Sequence, residues 1–198
     1  MDSRQVPRVV TSSLVQPLPP ATRYILRGSL PLMTAAGVAL GLAISQTACR
    51  AATTSPASSS APSPASSSGL TPTGLAALWL GPDEQLLLAP AGFDVATALE
   101  PALSGLPHSL VDVSHRQTAF EVSGPNAALL LSAGCPLDLD ESAFPVGMCT
   151  RTVLAKAEIV LWRTRPDVFH VEVWRSFADY VSRFLAEVAR EFGTQEFV

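Results

Sequence analysis

The chain has 198 residues, of which 47% are hydrophobic and 15% are charged. This length suits one domain with a proper core and is short for two, and the composition excludes an intrinsically disordered chain. The formal net charge of −4 argues against a nucleic-acid-binding protein.

Cysteine and histidine usage bounds the redox and metal chemistry. The chain has three cysteines, Cys49, Cys135 and Cys149, and no CxxC motif. If two of them formed a disulfide, the third would remain unpaired. Reduced thiols in a cytoplasm are therefore predicted. No two of the three histidines stand four residues apart, and no metal site is predicted from them: His108, His115 and His170.

The N-terminal region contains an uncharged stretch between Arg27 and Arg50. Residues 30–48 are mostly apolar, which is typical of a membrane span, and residues 46–49 resemble a lipoprotein cleavage box ending in Cys49. The competing interpretation is a buried core helix over 31–45, because polar residues leave only about 12 strongly apolar positions. Composition leaves the membrane or export role and the core helix both open.

Residues 51–73 are rich in Ser, Pro and Ala and carry no charge. Such a stretch buries too little apolar surface to offset its ordering entropy, so it is predicted to be a flexible insertion. Residues 1–14 are predicted to be a flexible tail, and residues 15–198 form the domain that the insertion interrupts.

The next segments alternate between strand and helix patterns. Two apolar runs around Gly81-Pro82-Asp83-Glu84 predict a β-hairpin. A short helix is predicted over 93–104, with Pro101 disturbing its end. Residues 110–113 and 117–122 read as strands, the second half-buried.

The C-terminal half continues the alternation. A helix is predicted from Pro125, as its first residue, to Gly134, followed by a loop over 135–148 and strands around 151–163 and 167–174. The last helix is amphipathic, with one apolar stripe: Phe177, Tyr180, Val181, Phe184, Leu185, Val188 and Phe192. The order of elements predicts an α+β class, a single domain with helices on a mostly antiparallel sheet.

A search for reactive groups finds no catalytic constellation in the sequence. There is no GxGxxG, GxxxxGK[ST] or GxSxG motif, so neither a nucleotide fingerprint nor a nucleophile elbow is present. Lys156 and Glu158 are predicted to share a strand face, as an exposed ion pair or, less expectedly, a catalytic one. His115 could act as a base, but no nucleophile partner is identifiable.

Tryptophan and arginine point to a different role. Trp162, Trp174 and Arg175 are of the residue types that most often anchor protein interfaces, although core packing of a Trp competes with that interpretation. No catalytic, cofactor-binding or metal residue is predicted. A partner interface is predicted to draw on eight residues: His115, Arg116, Arg151, Lys156, Glu158, Trp162, Trp174 and Arg175.

Several long segments of the sequence resemble the gamma subunit family of heterotetrameric sarcosine oxidase. The similar segments are dense over residues 75–192 and sparser over 15–50, and they occur in the same order as in that family: residues 18–28, 79–84, 111–117, 133–139, 144–152, 156–163 and 172–178. The resemblance implies that the uncharged run packs inside the fold, because the 51–73 stretch becomes an insertion that follows it. No membrane association is then expected.

The resemblance implies a function through partners. In that family the complex oxidatively demethylates sarcosine to glycine, giving hydrogen peroxide and formaldehyde or methylene-tetrahydrofolate, a step of one-carbon metabolism. It implies that the FAD, FMN, NAD and tetrahydrofolate are held by alpha and beta subunits and zinc by a delta subunit. This chain is then expected to be an accessory subunit without a cofactor.

A second resemblance concerns the fold. Residues 112–115 and 122–127 are similar to the folate-binding domain of the aminomethyltransferase of the glycine cleavage system. The pterin-holding Gly-Gly and paired Asp of that family have no counterpart, since Lys156-Ala157-Glu158 stands there. The alternative function is a free-standing folate-binding protein of this fold.

Overall fold

The computed structural model describes residues 14–44, 47–54 and 74–192. They form ten strands and four α-helices. The strands are β1 (Val15–Pro17), β2 (Ala21–Gly28), β3 (Ala51–Thr53), β4 (Ala76–Gly81), β5 (Glu84–Pro90), β6 (His108–Asp112), β7 (Gln117–Ser123), β8 (Cys149–Leu154), β9 (Ala157–Arg165) and β10 (Val168–Trp174). The helices are α1 (Leu30–Leu40), α2 (Val95–Leu103), α3 (Ala127–Ser132) and α4 (Ala178–Phe192), with a 3-10 turn at Arg175–Phe177 before α4.

The described residues divide into two compact units, each with its own five-stranded sheet. The N-terminal unit comprises residues 18–115 and 147–150, and its sheet has the order β3-β4-β5-β2-β6. The C-terminal unit comprises residues up to 17, 116–146 and from 151 onward, and its sheet has the order β1-β7-β10-β9-β8. The strand pairs β1–β7, β7–β10 and β9–β10 in one sheet, and β2–β5, β2–β6, β3–β4 and β4–β5 in the other, are antiparallel. This confirms the predicted α+β class, although the strands form two sheets and not the one expected.

The core of the N-terminal unit explains the uncharged run. Helix α1 packs against α2, and its buried residues join Leu87 and Ala89 of β5 in one apolar cluster. The helix ends at Gly41, whose φ of 65° is the left-handed conformation that glycine adopts without strain. The predicted core helix is therefore confirmed, but it ends near residue 40 instead of 45.

Helix α1 has 11 residues and a length of about 16 Å. In the part of the chain that the structure describes, no helix has the length and apolar character required to cross a membrane.

The first three residues of the predicted insertion form a strand. Ala51–Thr53 is not a loop but strand β3, which pairs with Ala76–Leu78 of β4. Residues 55–73 of the predicted insertion, and residues 1–13 of the predicted tail, lie outside the described residues.

The predicted hairpin is confirmed as β4 and β5, joined at Pro82 and Asp83. Helix α2 is also present; Asp94 caps it, with its Oδ1 accepting a 3.0 Å hydrogen bond from the Thr97 amide. Pro101 lies inside this helix near its end. Helix α3 is shorter than predicted, because it begins at Ala127 instead of Pro125 and ends at Ser132 before Gly134.

The C-terminal unit differs from the sequence prediction at one turn. The strand expected over 151–163 is two strands, β8 and β9, separated at Ala155, whose φ of 53° is left-handed. The Ala155 amide donates a 2.8 Å hydrogen bond to the Gly134 carbonyl, which holds this turn beside the end of α3. The turn contains no Gly or Asn, the residues that usually favour a left-handed conformation. The hydrogen bond to Gly134, which is distant in sequence, stabilises it instead.

Helix α4 buries a face somewhat rotated from the predicted one. Its buried residues follow a helical period: Ala178, Val181, Ser182, Leu185 and Ala189. Phe184 is half-buried and lies over Gly134, where an added Cβ would stand 2.7 Å from a ring carbon. Phe177 and Tyr180, which the sequence placed on the buried stripe, are exposed.

Candidate interaction surface

The end of β10 and the start of α4 carry exposed aromatic side chains next to arginines. Trp174 is the last residue of β10, Phe177 ends the 3-10 turn, and Tyr180 lies in the first turn of α4. Their exposed fractions are 42%, 40% and 38%. Together with Arg116 and Arg175 they form what we call the Arg–aromatic patch.

Two contacts join the arginines to this patch. The guanidinium carbon of Arg116 lies 5.1 Å from the centroid of the Trp174 ring, a cation–π arrangement. The Arg175 amide donates a 2.9 Å hydrogen bond to the Arg116 carbonyl, which continues the pairing of β10 with β7. Both arginines are exposed.

Of the eight residues predicted for a partner interface, the structure brings together Arg116, Trp174 and Arg175. His115 is exposed in the turn after β6. Before it, the hydroxyl and amide of Ser114 hydrogen-bond to Asp112 and lower the pKa of that carboxyl. Sequence order alone therefore places His115 next to Arg116.

Three other predicted interface residues lie on the β8–β9 hairpin. Arg151 is exposed on β8, Lys156 is exposed in the turn, and Glu158 is exposed near the start of β9. The prediction that Lys156 and Glu158 share a strand face is wrong, because the turn at Ala155 and Lys156 takes the lysine out of the strand.

Trp162 is a core residue, and its assignment to a partner interface is wrong. It is 7% exposed and pairs across the sheet with His170, with the two ring centroids 5.7 Å apart. A tryptophan at the centre of a sheet is covered by its own chain, whereas Trp174 at a strand end is not.

A buried polar pair lies beside Trp162. The His170 Nε2 and Glu172 Oε1 atoms are 2.7 Å apart, and the side chains are 6% and 1% exposed. The period-two alternation of Phe169, Val171 and Val173 with His170 and Glu172 predicts a polar face for this strand, but every residue of β10 except Trp174 is buried.

Arg163 is the second buried polar group that the sequence prediction missed. It is 5% exposed and donates only to backbone carbonyls: to Leu139 and Phe144 through Nη1, and to Pro166 through Nε and Nη2. It also lies 5.0 Å from the centroid of the Phe169 ring. No residue pattern in the sequence signals this role, because the acceptors are backbone carbonyls of the α3–β8 loop and of the β9–β10 turn.

The cysteines are all free thiols. Cys49 and Cys149 are joined through the backbone, since the Cys149 amide donates a 2.9 Å hydrogen bond to the Cys49 carbonyl. Burial raises the pKa of the Cys149 thiol to about 12. Cys49 is half-buried.

The difference in burial between Cys49 and Cys149 predicts that alkylating reagents modify Cys49 selectively. Because the thiolate is the reactive form, Cys149 with its raised pKa stays protonated at pH 8. We expect iodoacetamide at pH 8 to modify Cys49 about tenfold or more faster than Cys149, measured by mass spectrometry of the cysteine peptides. Addition of urea should make the two rates similar, and equal rates in the folded chain would contradict the prediction.

Within residues 14–44, 47–54 and 74–192, no cluster of three or more His, Cys, Asp or Glu side chains is placed to hold a metal ion.

Comparison with known structures first identifies the class of fold. A chain of the glycine cleavage system aminomethyltransferase T from Bartonella henselae aligns over 89% of this chain and 46% of its own length, with a TM-score of 0.60 and 13% identity. A chain of the heterotetrameric sarcosine oxidase from Corynebacterium sp. U-96, in complex with pyrrole 2-carboxylate, aligns over 96% of this chain and 91% of its own length, with a TM-score of 0.78 and 26% identity. The protein has the aminomethyltransferase-like α+β fold.

The family follows from sequence. The model of the sarcosine oxidase, gamma subunit family matches residues 63–191. Sarcosine oxidase subunit gamma from Corynebacterium sp. (strain P-1) is 38% identical over 122 residues, and the one from Arthrobacter sp. is 39% identical over 121 residues. The alignments cover 62% and 61% of this chain and 60% of each relative, so the chain spans about 60% of those relatives' length. The chain belongs to the sarcosine oxidase gamma subunit family.

Proposed function

We propose that this chain is the accessory gamma subunit of a heterotetrameric sarcosine oxidase. The complex would demethylate sarcosine oxidatively to glycine, with hydrogen peroxide and formaldehyde or methylene-tetrahydrofolate as the other products. The observation that carries the proposal is the structural match along nearly the whole chain to a chain of a heterotetrameric sarcosine oxidase. The family membership supports the same assignment.

The proposed division of labour puts the chemistry in the partners. FAD, FMN, NAD, tetrahydrofolate and zinc would be bound by alpha, beta and delta subunits, and this chain would contribute surface. Exposed aromatic and arginine side chains, the types that dominate protein interfaces, support that role. The free thiols support a reducing compartment, which we propose to be the cytoplasm.

Co-expression tests the proposal. With an affinity tag on this chain, the alpha, beta and delta subunits should co-purify with it and carry sarcosine oxidase activity. Recovery of the tagged chain alone, with all of the activity in the unbound fraction, would overturn the proposal.

The second candidate is a free-standing folate-binding protein, which the aminomethyltransferase-like fold favours. Calorimetric titration of the full chain with tetrahydrofolate separates the two functions. Binding by the chain without partners would support the second candidate, and no heat of binding at high micromolar ligand would eliminate it.

A further inference from the structure

The Arg–aromatic patch presents an unusual surface for a chain on its own. Its three aromatic side chains, Trp174, Phe177 and Tyr180, stand three residues apart and are each more than a third exposed. Aromatic side chains gain large stabilisation from burial, so a cluster of them in water marks a surface that a partner covers.

The patch is already organised for binding. Trp174 is held by its strand pairing with Gln117, and Arg116 lies over the Trp174 ring. The backbone hydrogen bond from the Arg175 amide to the Arg116 carbonyl holds the two arginines next to each other. Side chains that are ordered before association lose less entropy on binding, which favours affinity.

The charge of the patch selects the partner. In the described part of the chain, neither Arg116 nor Arg175 forms an ion pair within 4 Å. The nearest acidic residue in sequence on α4 is Asp179, whose Oδ1 already accepts a 3.1 Å hydrogen bond from Arg183. Arg116 beside the Trp174 ring, and Arg175 next to Trp174 in the chain, therefore carry positive charges that no acidic side chain of the described residues pairs with, although the whole chain has a net charge of −4.

We infer that the Arg–aromatic patch receives an acidic segment of another subunit, in which carboxylates flank an apolar side chain. A guanidinium stacked on an indole keeps its N–H edges available to bind a carboxylate with two hydrogen bonds. The aromatic rings then cover the apolar side chain and exclude water from the ion pairs. This inference rests on the proposed function, because it takes the partner to be a subunit of the same complex.

The test measures retention of this chain on tagged partner subunits after co-expression, with washes from about 50 mM to about 500 mM NaCl. The wild-type chain should be retained at low salt and progressively lost as salt rises, because exposed ion pairs are screened. Arg116→Gln with Arg175→Gln should lower low-salt retention about tenfold or more and flatten the salt dependence. Trp174→Ala should lower retention at every salt concentration.

Two further variants separate charge from folding. Arg190→Gln removes one positive charge at the far end of α4, about 18 Å from its start, and should behave as wild type. Arg116→Lys with Arg175→Lys keeps the charge and should recover most of the low-salt retention, which a loss of folding would not allow. Circular dichroism of each purified variant checks the fold.

The outcomes distinguish the inference from the proposed function. Wild-type chain that is not retained even at low salt overturns the proposed function and the inference with it. Retention of wild type, with an unchanged double Gln variant or an equally impaired double Lys variant, overturns the acidic-segment inference alone. A wild-type retention that does not change with salt also overturns it.

Discussion

Replacing Arg163 with methionine is expected to lower the free energy of unfolding by about 3–5 kcal/mol. The buried guanidinium donates four hydrogen bonds to three carbonyls, at distances of 2.6–3.2 Å. Methionine fills similar space but leaves the carbonyls of Leu139 and Phe144 buried without this donor. Each such loss costs about 1–3 kcal/mol. Urea unfolding of the full chain measures the change.

The same substitution should loosen the loop between α3 and β8. Leu139 and Phe144 lie in that loop, and their carbonyls tie it to β9 through Arg163. Hydrogen exchange of residues 135–148 is therefore expected to accelerate more than exchange in β10. Lysine at position 163 should restore only part of the stability, because one ammonium cannot reach three separate carbonyls.

Arg165→Met is the matched control, two residues further along the same strand. Its side chain is 51% exposed and its contact with Glu121 is 3.9 Å long. We expect a loss below about 1 kcal/mol, as for other exposed ion pairs. Equal losses for the two arginines would show that the carbonyl contacts of Arg163 contribute little.

Glu172→Ala is expected to destabilise the chain by about 3 kcal/mol or more. The carboxyl group is almost completely buried and forms a hydrogen bond with His170, whose ring lies tilted beside that of Trp162. Removal of one member of a buried polar pair leaves the other without its partner in a medium that solvates it poorly.

A double-mutant cycle with His170→Ala tests the pair directly. Because the two side chains share one contact, the double variant should lose less than the sum of the single variants, by about 1–3 kcal/mol. Glu158→Ala on exposed β9 surface serves as the control and should change stability by less than about 0.5 kcal/mol. Additive losses for Glu172 and His170 would contradict the proposed coupling.

The elements with strong local patterns were predictable from the sequence. The β4–β5 hairpin follows from two apolar runs around a Gly-Pro-Asp turn, and α4 follows from its helical apolar period. The core role of the uncharged run was one of two readings that composition left open. The packing of α1 against α2 decides it, because it shows the apolar positions covered by the chain itself.

Short strands could not be predicted in this way. Strands β1 and β3 have three residues each and exist because they pair with residues far along the chain, Val15 with Val122 and Ala51 with Leu78. A three-residue segment has too little periodicity to indicate a strand. The partner strand supplies the hydrogen bonds that define it.

The sequence carried enough information to predict the α+β class, the family and the residue types of the proposed interaction surface. The tertiary structure decided which of those residues are available. Trp162 and Trp174 are the same type of residue on neighbouring strands, yet Trp162 within β9 is 7% exposed and Trp174 at the end of β10 is 42% exposed. The arginines divide likewise: Arg163 is surrounded by carbonyls, and Arg116 stacks on an exposed ring. Burial depends on contacts between residues far apart in the chain, and local sequence does not encode those contacts.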